Sequence, residues 1–177
     1  MRITRNEMLI LRAYIASLRS TCNRLQVGAV IVRAGRTISD GYAGAPSGLP
    51  HCSKEICNAD NPCTRTVHAE AGAIAYAARE GIATGGAELY CTHAPCKPCS
   101  DLILNAGIKK VVYVEAYRKT EGIEQLKAGG VTVEQYLLRE ELRLSVMRLM
   151  AIGREPVSVG QGVGQGNDNF RRTGHGG

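Results

Sequence analysis

"AELYCTHAPCKPCSDLILNAGIKKVVYVE", residues 87–115, decides the fold. Its opening, Ala87 to His93, reads as a strand. Pro95 to Asn105 follows as a helix ended by Gly107, and "KKVVYVE", residues 109–115, is a short apolar β-branched run of the kind that forms a buried strand. Strand, helix and strand in such close succession make a crossover unit, which lays its strands parallel and its helix on one face of the sheet.

Working outward, the pattern repeats. "TEGIEQLKAGG" (120–130) predicts a helix ended by glycines, "VTVEQYL" (131–137) a strand, and Leu138 to Ile152 an amphipathic closing helix. On the N-terminal side, Asn6 to Arg19 predicts a helix with Met8, Leu11, Ile15 and Leu18 on one face. "VGAVIV" (27–32) is a buried strand, turning through "RAGR" into Thr37 to Tyr42 as a hairpin. "TRTVHAEAGAIAYAAREG" (64–81) has the period of a packed helix through Val67, Ala71, Ile74, Ala75 and Ala78. The expected class is α/β, a sheet with helices on its faces. One domain is expected over 1–153, followed by a Gly-rich tail over 154–177. The tail's "GQGVGQG" has no preceding strand or following helix, so it reads as linker rather than nucleotide loop.

Composition narrows the class. No apolar run approaches the ~20 residues needed to span a bilayer, and "MRITRNEMLI" lacks the features of a secretory signal. The expectation is a cytoplasmic protein with no membrane partner. Lys and Arg total 22 against 16 Asp and Glu. The excess is scattered, which suits a small anionic ligand or an ordinary solvated surface better than a nucleic-acid polymer. One Phe and no Trp leave few platforms for stacking bases. Seven cysteines in a reducing compartment suggest metal or catalysis before disulfides.

Two features concentrate chemistry. His68 and Glu70 are set into the first turn of the 64–81 helix, where a core helix would carry no polar groups. Cys96 and Cys99 follow Pro95 into the next helix, three residues apart and so on one face. Two thiolates and an imidazole match the ligand count of a catalytic zinc, with a fourth position left for water. The C-x-x-C alone would equally suit a redox pair or part of a structural site. Glu70 lies about 200° around an ideal helix from His68. It is therefore placed as a proton shuttle rather than a ligand, although an acidic residue in a first turn is common for dipole reasons alone.

His68-Ala69-Glu70 followed by Pro95-Cys96-Lys97-Pro98-Cys99 is the H-x-E and P-C-x-x-C signature of zinc nucleobase deaminases. "TCNRLQVGAVIV", "GYAGAPSGLPHC", "CTRTVHAEAGAIAYAAREG", "YCTHAPCKPCSDLILNAGIKKVVYVEAYR" and "GGVTVE" resemble, in order, segments of the deoxycytidylate (dCMP) deaminases, covering about residues 5 to 136. The resemblance implies a three-layer α/β/α cytidine deaminase-like fold with a five-stranded mixed sheet. It implies conversion of dCMP to dUMP with loss of ammonia, which supplies dTMP synthesis. It also implies a homo-oligomer, commonly a hexamer, under dCTP and dTTP control, with Mg2+ accompanying the effector.

Carried over by position, the resemblance assigns zinc to His68, Cys96 and Cys99 and proton transfer to Glu70. It places the loop from Gly41 to Gly48, through Tyr42, Ala43, Gly44 and Pro46, against nucleotide, either substrate or effector, with Ala69 nearby and Tyr117 near the base. Arg24 and Arg65 are candidates for phosphate, since guanidinium matches phosphate bidentately; each could equally be a surface arginine. A second, structural zinc is expected at Cys22, Cys57 and Cys63, with His51 or Cys52 as fourth ligand; buried free thiols are the alternative. Cys91, inside a strand, reads as core.

The chain departs from the family pattern twice. G-Y-N-G becomes Gly41-Tyr42-Ala43-Gly44, and H-A-E-x-N-A becomes His68-Ala69-Glu70-Ala71-Gly72-Ala73. Each change removes an amide able to donate and accept hydrogen bonds. The smaller residues are expected to make room for a substituent, for example at C5 of the base. A catalytically silent nucleotide sensor or DNA-uptake accessory is the competing class, and the intact Glu70 argues against it.

Overall fold

The computed structural model describes residues 2–52, 63, 65–117 and 119–152. The expected crossover forms from β3 (Glu88–His93), α3 (Lys97–Asn105) and β4 (Lys110–Glu115). Before it come α1 (Arg5–Ser17), β1 (Gly28–Arg33), β2 (Arg36–Tyr42) and α2 (Ala69–Arg79). After it come α4 (Glu121–Ala128), β5 (Thr132–Gln135) and α5 (Glu140–Ile152). The five strands lie in the order β2-β1-β3-β4-β5. β1 is antiparallel to both β2 and β3, while β3–β4 and β4–β5 are parallel, so the sheet is mixed as expected.

Alternation along the central strands sorts the core into two layers. Ala29 and Ile31 of β1 and Leu89 and Cys91 of β3 pack with Ala69 and Ala73 of α2, Ile103 of α3 and Leu126 of α4. Val30 and Val32, Tyr90 and Val112 face the other way, onto Leu9, Ile10 and Ala13 of α1 and Val146 of α5. Cys91 is fully buried, as a core residue should be.

Helices begin where their caps dictate. Thr4 closes a capping box on α1: its Oγ1 accepts from the Glu7 N–H at 3.2 Å, and the Glu7 carboxylate accepts from the Thr4 N–H at 2.7 Å. α1 therefore starts at Arg5 and ends at Ser17, short of Arg19. α3 starts at Lys97 rather than Pro95, with Pro98 in its first turn, where a missing N–H costs nothing. The closing helix starts at Glu140 rather than Leu138. An isolated bridge joins Gly44 to Val67 through two backbone hydrogen bonds, of 3.1 and 2.8 Å, across the foot of the long loop between β2 and α2.

Two glycines set the packing around the site. A Cβ on Gly41 would lie 2.5 Å from the Ala73 nitrogen and closer still to the Ala69 carbonyl oxygen, so β2 touches α2 backbone to backbone. A Cβ on Gly122 would lie 2.8 Å from the Cys96 carbonyl carbon, so α4 seats directly against the start of α3. No helix among the described residues is long and apolar enough to cross a membrane. Cys57 and the tail over 154–177 lie outside the described residues.

Candidate metal centre and active site

α2 and α3 present their N-terminal ends to the same point. His68 is the N-cap of α2 and Cys96 the N-cap of α3; both are extended, and neither side chain makes a capping hydrogen bond. This corrects the expectation that His68 and Cys96 sit inside their helices. An N-cap residue lies outside the helical spiral, so neither the 200° separation of His68 from Glu70 nor the shared helical face of the cysteines describes the site. Only Cys99 and Glu70 project from helical turns.

His68 Nδ1 is 3.3 Å from Cys96 Sγ and 3.4 Å from Cys99 Sγ. All three donor atoms fall within 4.8 Å of one another, the only such group of three among the described residues. Tetrahedral zinc at about 2.3 Å from sulfur and 2.0 Å from imidazole nitrogen sets those atoms about 3.5 Å apart, so the spacing fits. The electrostatics fit too. Its hydrogen bond with Cys99, and then His68, pull Cys96 toward the thiolate. The Cys99 thiol is pushed up by that neighbouring sulfur, by burial and by Glu70. Two sulfurs that cannot both be charged without a cation between them are a donor set suited to a metal ion.

Glu70 is 4 % exposed and lies against this group. Burial pushes its carboxyl up to about 7, opposed by its own backbone N–H, by His68 and by the Cys99 thiol. A carboxyl so placed can both take and return a proton.

The site opens into a cavity of about 330 Å³, a volume suited to a small ligand. His68, Ala69, Glu70 and Cys96 line it from the metal side, and Arg24, Ala43 and Tyr117 line it elsewhere. Arg24 and Tyr117 thus border the same cavity as the metal group. Arg65 does not line the cavity: its Nη2 donates to the Pro50 carbonyl at 2.7 Å.

The Gly41–Gly48 loop is divided between two cavities. Ala43, 4 % exposed, borders the catalytic one. Gly41, Tyr42, Gly44, Pro46 and Gly48 border a second cavity of about 530 Å³, together with Gly72, Tyr76 and Arg79. Ala43 and Gly72 therefore do not enlarge one pocket together, contrary to the sequence expectation.

The second cysteine cluster is not assembled among the described residues. Cys22 borders the catalytic cavity and a neighbouring one that His51 and Cys52 also line. Cys63 Sγ lies 3.2 Å from Thr66 Oγ1, and Cys52 Sγ lies 3.9 Å from the same atom. Cys57, the remaining expected ligand, is outside the described residues.

Sequence reasoning passed over two polar residues of the cavity wall, Thr66 and His93. His93 ends β3, and its Nδ1 lies 2.9 Å from Thr92 Oγ1. Its position three residues before Cys96 was a signal available in the sequence.

Comparison with known proteins agrees with the geometry. The chain is 45% identical over 141 residues to ComE operon protein 2 of Bacillus subtilis, covering 78% of this chain and 75% of that one. It is 39% identical over 140 residues to the deoxycytidylate deaminase of Saccharomyces cerevisiae, covering 75% of this chain but only 45% of the yeast protein. Among solved structures, the dCMP deaminase of cyanophage S-TIM5 in complex with dCMP and dUMP matches with a TM-score of 0.71 and 36% identity, over 77% of this chain and 99% of that one. Residues 3–115 match the cytidine and deoxycytidylate deaminase zinc-binding region, with the His68, Cys96 and Cys99 group inside the match, and the chain belongs to that family.

Proposed function

We propose that this chain deaminates dCMP hydrolytically to dUMP. The observation that carries the reading is the His68–Cys96–Cys99 group beside a buried Glu70 on the wall of a nucleotide-sized cavity. The S-TIM5 relative, described with dCMP and dUMP, supports this choice of substrate.

His68, Cys96 and Cys99 are the residues that would hold zinc, which when bound supplies Lewis-acid activation of water. Glu70 takes a proton from the water that attacks C4 of the base and passes it to the departing amine. A C–O bond forms, the C–N bond breaks, and ammonia leaves. Arg24 supplies a guanidinium for the 5′-phosphate. Tyr117 and Ala43 bound the space around the nucleoside.

Ala43 supports a second reading, in which the base carries a C5 substituent, because it alone of the two altered positions borders this cavity. Control by dCTP or dTTP with Mg2+ is assigned to the second cavity, where Gly72 has open space: the nearest atoms to a Cβ there are 3.9 Å away.

The test is turnover by the zinc-loaded chain on dCMP and 5-methyl-dCMP side by side, with and without dCTP and Mg2+. Preference for dCMP supports the first reading, and preference for the methylated base supports the second. Turnover of neither by protein with full zinc content removes both. Zinc analysis belongs to the same experiment: one ion per chain accounts for the His68 group, and a second supports the site at Cys22, Cys57 and Cys63.

A further inference from the structure

His93 has no part in the metal group or the proton transfer, yet its setting is specific. Thr92 is fully buried. Its Oγ1 makes two contacts, accepting from the Gly28 N–H at 3.2 Å and lying 2.9 Å from His93 Nδ1. A hydroxyl has one proton to give and two lone pairs to receive with. Gly28 uses one lone pair, and the hydroxyl proton needs an acceptor, since a buried donor left unpaired is costly. Among the described residues, the one acceptor offered to it is His93 Nδ1. That nitrogen is then unprotonated, and the ring proton resides on Nε2. With Nδ1 turned to the buried threonine, the Nε2 edge is the part of the ring left to border the cavity.

We infer that His93 is a substrate-contacting specificity residue, locked by Thr92 in the Nε2–H form and donating a hydrogen bond to the 2-carbonyl oxygen of the bound pyrimidine. A fixed neutral donor suits a carbonyl, and Arg24 supplies charge to the same cavity for the phosphate. His93 stands three residues from Cys96, on the strand end beside the metal ligands, so it belongs to the part of the cavity where the base reacts. Burial also holds the imidazole below its usual range, which keeps it neutral near pH 7. The inference rests on the deaminase reading above for its substrate, whereas the ring tautomer does not depend on it.

The experiment has two arms. In the first, zinc-loaded wild type, His93→Leu and His93→Gln are assayed on dCMP and on its 2-thio analogue, whose sulfur is the weaker acceptor. His93→Leu should lower kcat/KM on dCMP about tenfold, the worth of one neutral hydrogen bond, with zinc content unchanged. His93→Gln, which restores an N–H at a similar reach, should recover most of that loss. Wild type should favour dCMP over the thio analogue, and His93→Leu should erase the preference, because the two changes remove one contact. Equal losses on both substrates would overturn the carbonyl assignment, and unchanged kinetics in His93→Leu would overturn the contact itself. In the second arm, long-range proton–nitrogen correlation spectra of 15N-histidine protein read the tautomer directly, with His93 assigned from the signal missing in His93→Leu. The Nε2–H form supports the relay, and the Nδ1–H form overturns it. A wild type inactive on dCMP would sink the deaminase reading instead, and leaves the second arm to decide on Thr92 and His93.

Discussion

His68 and Cys96 hold the same position in two different helices. Each is an N-cap with extended backbone, at φ −72° and ψ 154° for His68 and φ −75° and ψ 167° for Cys96, and their donor atoms approach to 3.3 Å. An N-cap side chain ordinarily turns back to satisfy its helix. These two turn away and meet each other, so both are released from helix stability and committed to the centre between α2 and α3.

That separation makes the metal group removable without unfolding the helices. Cys96→Ala should lower zinc content by about one ion per chain and abolish turnover, while circular dichroism keeps its helical signal, because no capping hydrogen bond is lost. Metal analysis and the spectrum on one sample check it. Full zinc content in the variant would contradict the ligand assignment.

Glu70→Gln should keep zinc and nucleotide binding while lowering kcat by about 10²–10⁴-fold, the range typical of a lost proton-transferring group. Equilibrium binding of dUMP beside single-turnover kinetics separates the two quantities. A variant losing binding and rate together would assign Glu70 to holding the ligand instead.

Two glycines should respond in opposite directions to the same added methyl group. Gly72 lies inside α2 with nothing nearer than 3.9 Å to a new Cβ, so Gly72→Ala should stabilise by about 0.5–1 kcal/mol through helix propensity. At Gly122 the Cβ meets the backbone of Pro95 and Cys96, so Gly122→Ala should destabilise by about 1–3 kcal/mol. It should also weaken zinc retention against a chelator, because the displaced backbone carries a ligand. Urea unfolding of both variants provides the comparison.

Glu7 ties α1 to the entrance of α5. Its buried carboxylate accepts from the Thr4 N–H and from Arg139 Nε at 2.6 Å. The Thr4 N–H, then Arg139, hold its pKa below the usual carboxylate range. A depressed carboxylate stabilises the fold fully above its unfolded value of about 4.3 and loses that contribution as pH falls through the folded value. Glu7→Gln should therefore melt a few degrees lower than wild type at pH 7, and the gap should close below about pH 4. Thermal melts across that range check the sign.

The candidate metal group and the carboxyl beside it were legible in the sequence through their spacing. His68, Glu70, Cys96 and Cys99 needed no knowledge of the sheet, and the β3–α3–β4 crossover followed from period and turn residues alone. What the sequence left unplaced depended on contacts across the chain. The Gly41–Gly48 loop borders two cavities, and Gly41 meets the backbone of α2, neither visible in a local pattern. Arg65 turns to Pro50 for the same kind of reason. His93 reads as an ordinary strand end until Thr92 is placed opposite Gly28, and only that pairing fixes which ring nitrogen carries the proton. The N-cap positions of His68 and Cys96 depended on where each helix starts, which apolar spacing locates only to within a turn.

The bridge between Gly44 and Val67 bears on how members of this family can differ in length. It pins both ends of the stretch 45–66 just before His68, so the ligand-bearing helix starts from a fixed anchor whatever lies between. Doubling such a closed loop costs only about 0.6 kcal/mol of closure entropy. Changes of length between these two anchors therefore cost little and leave His68, Glu70, Cys96 and Cys99 in register.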